Sequence, residues 1–404
     1  MRVLWVKSGG LVPLDTGGKI RSFNLLKCLA RKHEITLFTF YGEHAGDTHA
    51  QLNQHFARVI CVPLRLPPQR GLAEALLYAR NLFSLQPYTL AKYCRPHVAR
   101  ALDQLLRAEP FDVLVCDFLF SAGVIPWDWP GPKVLFTHNV EEQIWRRHYQ
   151  VTRNPVWKAV SWREYQTMRL AERRYIRQAD HVLAVSENDR DLFASFADPA
   201  TITVIPTGVD VDYFLPGAEP EQPNTLVFTG SMDWMPNEDA VVYFAEAILP
   251  HIRREVPDVR LWVVGRSPTR RLRELAAQER AVQVLGRVED IRPYVLRSPV
   301  YVVPIRIGGG TRIKIFEAMA MGKAVVSTSI GAEGLPVSRN DNIVLVDEPE
   351  EFARQVVRLL RDGEAREKLG SAARALVEQR FSWVAAAEEF DSVLAYVTRN
   401  YRRP

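Results

Sequence analysis

The sequence has little cysteine. Its four residues, Cys28, Cys61, Cys94 and Cys116, are scattered through 404 positions, and none pairs as CxxC. That spacing offers neither a zinc ligand set nor a disulfide framework. It fits a reducing compartment. No apolar run reaches about 18 residues, so no segment reads as a membrane-spanning helix. The opening MRVLWVKSGG is an apolar strand and a glycine turn, without the long apolar stretch of a secretory signal. A cytoplasmic protein is expected, with any membrane contact peripheral and on the inner face of the cytoplasmic membrane. Several motifs are also missing. No GxGxxG follows a strand, which counts against a dinucleotide-binding dehydrogenase. There is no HExxH, no nucleophile elbow and no GxxxxGK[ST] loop. Short-period repeats and low-complexity tracts are absent too.

What is present points to a folded chain of two or three domains. Hydrophobic residues make up 47% and charged residues 25%, an ordinary globular balance. The net charge of +5 is compatible with anionic substrates, an anionic membrane or nucleic acid, and does not choose among them.

Short apolar runs at 2–6, 35–40, 59–62, 113–116, 133–137, 182–185 and 201–205 read as buried strands. Amphipathic stretches such as 19–31 and 98–106 lie between them. The alternation implies a parallel sheet covered on both faces. It pauses at a stretch dense in Pro, Gly and acids, then resumes with strands at 225–229, 259–264, 282–285, 300–303, 324–327 and 343–346. Helical patterns at 237–254 and 311–321 separate these, and 348–400 reads as all-helical. The expected fold class is α/β with two Rossmann-like domains. The expected boundaries are 1–205, a hinge at 206–223, 224–384, and a C-terminal helix at 385–404 bracing the first domain.

The strongest chemical signal is IRIGGGTRIKIFEAMAMG at 305–322. A buried strand ends, three glycines follow, and a helix begins near Thr311. Glycines allow close approach to the backbone, and a helix start favours an anion. Arg306, Arg312 and Lys314 surround that start, so the set suits a diphosphate. Glu317, one turn further on, suits two ribose hydroxyls. The bland alternative is a strand–helix turn with surface charges; the coincidence of glycines, cations and a carboxylate weighs against it. Gly9, Gly10, Gly17 and Gly18 follow the first strand. They permit substrate approach or form a plain turn, and both readings stay open. His138, in FTHNVEEQIW, follows a strand end, where α/β sheets place ligand groups; a structural histidine is the competing reading. Asp210 and Asp212 spell DxD, which suggests a metal–diphosphate bridge, but they sit in the hinge, away from the glycine-rich phosphate loop, and that reading is set aside. The stretch 144–178 carries nine Lys and Arg against two Glu, interleaved with aromatics. It reads as a solvated helix packing its aromatics inward, or as a membrane-interface segment.

At this point the chain resembles the GT-B glycosyltransferases, specifically the retaining family 4 group. The matching stretches are VIPTGVDVDYFLP, LVFTGSMDWMPNEDAVVYF, LWVVGRSP, VLGRVEDIRPYV, VYVVPIRIGGGTRIKIFEAMAMGKAVVST, and Gly17, Gly18 and Arg21 as GG…R. The resemblance implies transfer of a sugar from a UDP- or GDP-linked donor, with retention and without a metal, in a cleft between the two domains. It places the diphosphate on Gly17, Gly18, Arg306, Gly310, Thr311, Arg312 and Lys314. The ribose falls to Glu317, the donor sugar to Gly308 and Gly309, and the base to Gly286, Arg287 and Val288. His138 becomes the catalytic histidine near the donor sugar. The implied acceptor is a glycan or polyprenyl-linked molecule of bacterial surface polysaccharide or glycoconjugate biosynthesis. Segments 65–100 and 144–178 would then face an anionic membrane, and no nucleic acid is expected as a partner. Two departures stand out. Gly309 occupies the place of the first glutamate in the family's pair of glutamates, and Ser231 and Met232 follow Gly230 where the family has early cations. Arg312 and Lys314 are expected to supply that charge. Alternatives are a sugar-nucleotide 2-epimerase of the same fold and a non-catalytic nucleotide-sugar-binding partner.

Overall fold

The computed structural model describes residues 1–14, 16–42, 51–66, 72–152, 154–217, 219–307 and 313–401. The chain divides into two compact units, Met1–Pro206 with Ala386–Pro404, and Thr207–Ala385.

The first unit holds seven strands: β1 Arg2–Ser8, β2 Glu34–Tyr41, β3 Arg58–Pro63, β4 Val113–Asp117, β5 Lys133–Phe136, β6 His181–Ala184 and β7 Ile202–Val204. All pair in parallel, in the order β3-β2-β1-β4-β5-β6-β7. Central strands such as VLVCD and KVLF are buried along their whole length, which is why they read as continuous apolar runs. The helix Pro96–Ala108 buries Val98, Leu102 and Leu105, one stripe at helical spacing. Residues 386–400 of the last helix complete this unit. Phe390 stacks on Trp5 with centroids 5.3 Å apart, and Asp391 accepts from His33 at 2.8 Å and Lys32 at 3.1 Å.

The second unit holds β8 Thr225–Thr229, β9 Arg260–Val264, β10 Val282–Gly286, β11 Val300–Val303, β12 Ala324–Ser327 and β13 Val344–Leu345. These are also all parallel, in the order β10-β9-β8-β11-β12-β13. The residues after Pro206 join this unit. Val209 N–H donates to Phe381 O, and the Arg374 guanidinium donates to the carbonyls of Val211 and Phe214. Asp210 accepts the N–H groups of Asp212 and Tyr213, so the DxD spelling is a local turn. The single helix expected at 237–254 is broken into Met235–Tyr243, a π-helical turn Phe244–Ile248, and Leu249–Glu255. The cause is Pro250, which has no N–H to give and whose ring would strike the carbonyl four residues back.

In each sheet the strand order reverses once, between β1 and β4 and between β8 and β11. The carboxyl ends of strands at such a reversal form the crevice where open α/β sheets bind ligands.

Candidate functional site

In the first unit β1, β4 and β5 bring together Lys7, Asp117 and His138. Asp117 is fully buried. It accepts from Trp5 Nε1 at 2.8 Å and from His138 Nε2 at 2.7 Å, with Lys7 Nζ at 3.3 Å. Burial alone would raise its pKa, but Lys7 and the His138 hydrogen bond reverse this and hold the carboxyl well below its ordinary range. An ionised Asp117 can only accept, so His138 carries its proton on Nε2. Burial lowers the His138 pKa to about 4, against the pull of Asp117. The ring is therefore neutral near pH 7 and keeps a lone pair on Nδ1. That atom is buried and has no hydrogen-bond partner among the described residues. It faces Gly18, where an added Cβ would lie 3.7 Å away.

Gly17 and Gly18 begin the helix Gly17–Leu29, which has no side-chain cap bond and no acid in its first turn. Among the described residues no side chain caps it, and such a helix start favours an anion or a hydroxyl oxygen. Arg21, one turn on, is turned inward instead. It donates to the carbonyls of Thr137 and Ile205 and lies 4.4 Å from the Phe136 ring centroid. Burial lowers its pKa to about 9, opposed by Asp117 and Asp189. Arg21 is thus a strut for the His138 loop. From behind, the buried Glu172 carboxylate accepts the N–H groups of Glu141 and Glu142 at 2.9 and 3.1 Å, capping the helix Glu141–Val151. Burial raises Glu172 to about 8 and Glu141 to about 7.

In the second unit three adjacent strands end in glycines of positive φ: Gly230 at +153°, Gly265 at +155° and Gly286 at +71°. A Cβ on Gly265 would come within 1.7 Å of Gly230 O, and one on Gly230 within 2.7 Å of Lys314 Nζ. The backbones and Lys314 therefore form one continuous floor. Lys314, on the helix Ile313–Ala320, donates to Asn237 Oδ1 at 2.8 Å and lies 4.2 Å from the Phe228 ring centroid. Glu317 is half-buried on the same helix, and nothing among the described residues hydrogen-bonds its carboxylate. Burial raises its pKa to about 7, with Lys314 pulling the other way. Arg266 donates to Ser231 Oγ at 2.6 Å, placing a further cation beside Gly230.

The residues singled out by sequence fall into two groups. Gly17, Gly18 and His138 meet in the first unit. Lys314, Glu317 and the Gly286–Val288 turn lie along the carboxyl edge of the second sheet, where Gly286 O accepts from Gly265 N–H at 2.9 Å. Arg287 is exposed, and Val288 packs on the core. Arg306 is differently placed. It forms a two-bond ion pair with Asp239, at 2.8 and 3.2 Å, and stacks 4.0 Å from the Tyr243 ring centroid. Gly308, Gly309, Gly310, Thr311 and Arg312 lie outside the described residues. Sequence reasoning missed Asp117, Asn237 and Arg266. Of these only Asp117 left a trace, as a charged residue ending a buried apolar run.

Comparison with known proteins meets this geometry. A family model described as Glycosyltransferase Family 4 matches residues 16–213, and one described as Glycosyl transferases group 1 matches residues 223–362. The chain belongs to these glycosyltransferases. It is 33% identical over 198 residues to a phosphatidyl-myo-inositol mannosyltransferase of Mycobacterium tuberculosis, covering 46% of this chain and 51% of that protein. It is 26% identical over 261 residues to a GDP-mannose-dependent monoacylated alpha-(1-6)-phosphatidylinositol monomannoside mannosyltransferase of Corynebacterium glutamicum, covering 58% and 67%. The match thus spans about half the length of the mycobacterial relative. The fold of this glycosyltransferase is shared with Anabaena Alr3699/HepE, solved in complex with UDP: TM-score 0.69 at 16% identity, covering 98% of this chain and 100% of that one.

Proposed function

We propose that the chain transfers a sugar from a UDP- or GDP-linked donor to a hydroxyl of a glycan or lipid-linked acceptor, with retention of configuration and without a metal ion. The observation that carries this reading is the floor of the second unit. Bare glycine backbone at Gly230 and Gly265 lies beside the Lys314 ammonium, with the Glu317 carboxylate one turn away. The floor suits a diphosphate, and the carboxylate suits the two hydroxyls of a ribose. The relatives named above, one GDP-mannose-dependent and one acting on a phosphatidyl-inositol, support a nucleotide-sugar donor and a lipid-borne acceptor.

In the proposed step the bond from the anomeric carbon to the diphosphate oxygen breaks. The acceptor oxygen bonds to that carbon on the same face, and its proton passes to the departing phosphate oxygen. No protein nucleophile is needed. Lys314, with Arg312 two residues before it in sequence, balances the charge that grows on the diphosphate. His138 Nδ1, neutral and fixed by Asp117, accepts a sugar hydroxyl and orients it. A bacterial surface polysaccharide or glycoconjugate is the expected product class.

The test is thermal stability against UDP, GDP, ADP and their sugar conjugates, with magnesium and with chelator. A bound nucleotide stabilises the folded state by about 2.7 kcal/mol at a hundredfold excess over its dissociation constant. A chelator-insensitive shift with one nucleotide family is expected. No shift with any of them overturns the reading.

A further inference from the structure

The residue that follows Asp117 at the carboxyl end of β4 is Phe118, with φ +73° and ψ +143°. A bulky side chain at positive φ is an outlier, and this ψ borders a region occupied essentially by glycine. Such strain persists only where the surroundings over-determine it. Here they do. Phe118 N–H donates to Phe136 O at 2.8 Å, and Phe118 O accepts from Ser121 N–H at 3.0 Å. Ser121 Oγ donates to Asp117 O at 2.8 Å and accepts from Ser8 N–H at 2.8 Å. Glycine would adopt the same turn without strain. The turn itself therefore has no use for a phenyl ring, and the reason for the ring lies in what it touches.

Phe118 stays partly exposed although its neighbours Asp117 and Leu119 are buried. Its ring lies edge-on to His138, with centroids 5.1 Å apart and planes at 80°. On its other side it meets Phe120 at 4.4 Å, and Phe120 stacks on Tyr93 at 5.9 Å. Phe120 and Tyr93 are partly exposed as well. An aromatic wall thus runs up to the His138 ring, whose buried Nδ1 has no hydrogen-bond partner among the described residues. The fixed charges around it are already engaged: Lys7 with Asp117, and Arg21 with two carbonyls. What the place offers is aromatic surface, one lone pair and the uncapped start of the helix Gly17–Leu29. A neutral pyranose fits that inventory. One face of its ring is a sheet of C–H groups that lies on an aromatic side chain, and its rim carries hydroxyls for a few fixed polar atoms. A charged ring would be left without compensation by groups already paired.

We propose that Phe118 is a specificity-determining residue, its ring carrying the C–H face of a neutral hexopyranose while His138 Nδ1 accepts one of that sugar's hydroxyls. Phe120 and Tyr93 back the ring and hold its orientation. Only the further step of calling this sugar a substrate of the transfer rests on the proposed reaction.

Saturation-transfer NMR on the full chain, without nucleotide, tests this with methyl α-D-mannopyranoside, methyl α-D-glucopyranoside and methyl β-D-galactopyranoside as probes and uridine as the control. At least one hexoside is expected to receive saturation, concentrated on the C–H protons of one ring face. Phe118→Gly lowers that hexoside's affinity about tenfold, since it removes an aromatic contact. It does not lower the melting temperature, because relief of the strained φ offsets the lost ring contacts. Phe118→Leu, which keeps the bulk but not the aromatic face, weakens the sugar as well. Absence of saturation on every hexoside overturns the proposal, as does saturation indifferent to both variants. A Phe118→Gly protein that melts several degrees lower also overturns it, since the ring is then a support for the fold. So does saturation of uridine that the variants abolish and no hexoside matches, which assigns the ring to a nucleobase. The nucleotide-induced thermal shift, measured on the same proteins, reports separately on the transfer reading: a hexoside that binds where no nucleotide does leaves the sugar site standing without it.

Discussion

The two units use one scaffold for opposite electrostatic ends. Each is a parallel sheet whose first strand is flanked by its second and its fourth, and each places its candidate residues at the strand ends where that order reverses. In the first unit the charges are closed on one another. Asp117 is held by Lys7, Trp5 and His138, and Arg21 by two carbonyls. What remains for a ligand is a neutral lone pair on His138 and the start of the helix Gly17–Leu29. In the second unit the strand ends are bare glycine backbone beside an ammonium and a carboxylate. The difference shows that the fold fixes where a ligand binds, and the few residues at the strand ends fix what charge it carries.

The comparison breaks most visibly at Lys314. Replacing Lys314 and Arg312 with Ala should weaken nucleotide binding by more than about 100-fold, because each cation is worth roughly 1.5–3 kcal/mol to a charged partner; calorimetric titration measures it. Next comes backbone fit. Gly265→Ala drives a Cβ into Gly230 O at positive φ and should cost at least about 3 kcal/mol. Gly9→Ala in the first unit, with no atom within 4 Å, should cost only the roughly 1–2 kcal/mol of its φ of +80°. Urea unfolding compares the two. His138→Ala should lower turnover about 10- to 100-fold while nucleotide affinity stays unchanged, a split that steady-state kinetics beside titration reveals.

Donor binding should also depend on pH. Hydroxyl donors favour the ionised Glu317, whose free pKa stands near 7. Below that value a proton must leave on binding, so affinity for the nucleotide sugar should fall about tenfold by one unit below it and level off above it. Glu317→Gln should flatten the slope. An intact nucleotide sugar is the right ligand, since a free terminal phosphate titrates near 6 itself. The smallest effect is expected at Arg306. Its charge is already balanced by Asp239, so Arg306→Ala should change nucleotide affinity less than about threefold in the same titration.

Sequence alone treated Arg306 and Lys314 as equals, because both flank the same glycines. What separates them is Asp239, far away in sequence and brought over by the helix after β8. The strands were legible because parallel strands buried on both faces are written as unbroken apolar runs, as in VLVCD. The helix around Pro250 was read as continuous because its apolar pattern persists through a change of pitch that only the proline reveals. Asp117 went unread because an aspartate ending a strand resembles any turn residue. Its meaning comes from the order β1-β4-β5, which sets Lys7 and His138 beside it and which no local pattern encodes. Arg21 was legible as part of GG…R, but its inward direction was not.

The stacking of Phe390 on Trp5 has a consequence for biosynthesis. Trp5 in β1 and Phe390 in the helix after the second unit are packing partners, and the whole of the second unit is made between them. A nascent first unit can assemble its sheet, and once residue 205 has emerged it can tie Arg21 to its last carbonyl. It still waits, with the Trp5 and Phe136 rings uncovered on one side, until the helix carrying Phe390 is released. Over that interval the half-made chain presents an apolar surface to chaperones and to its neighbours on the polysome. The speed of translation through the second unit therefore sets how long it stays exposed.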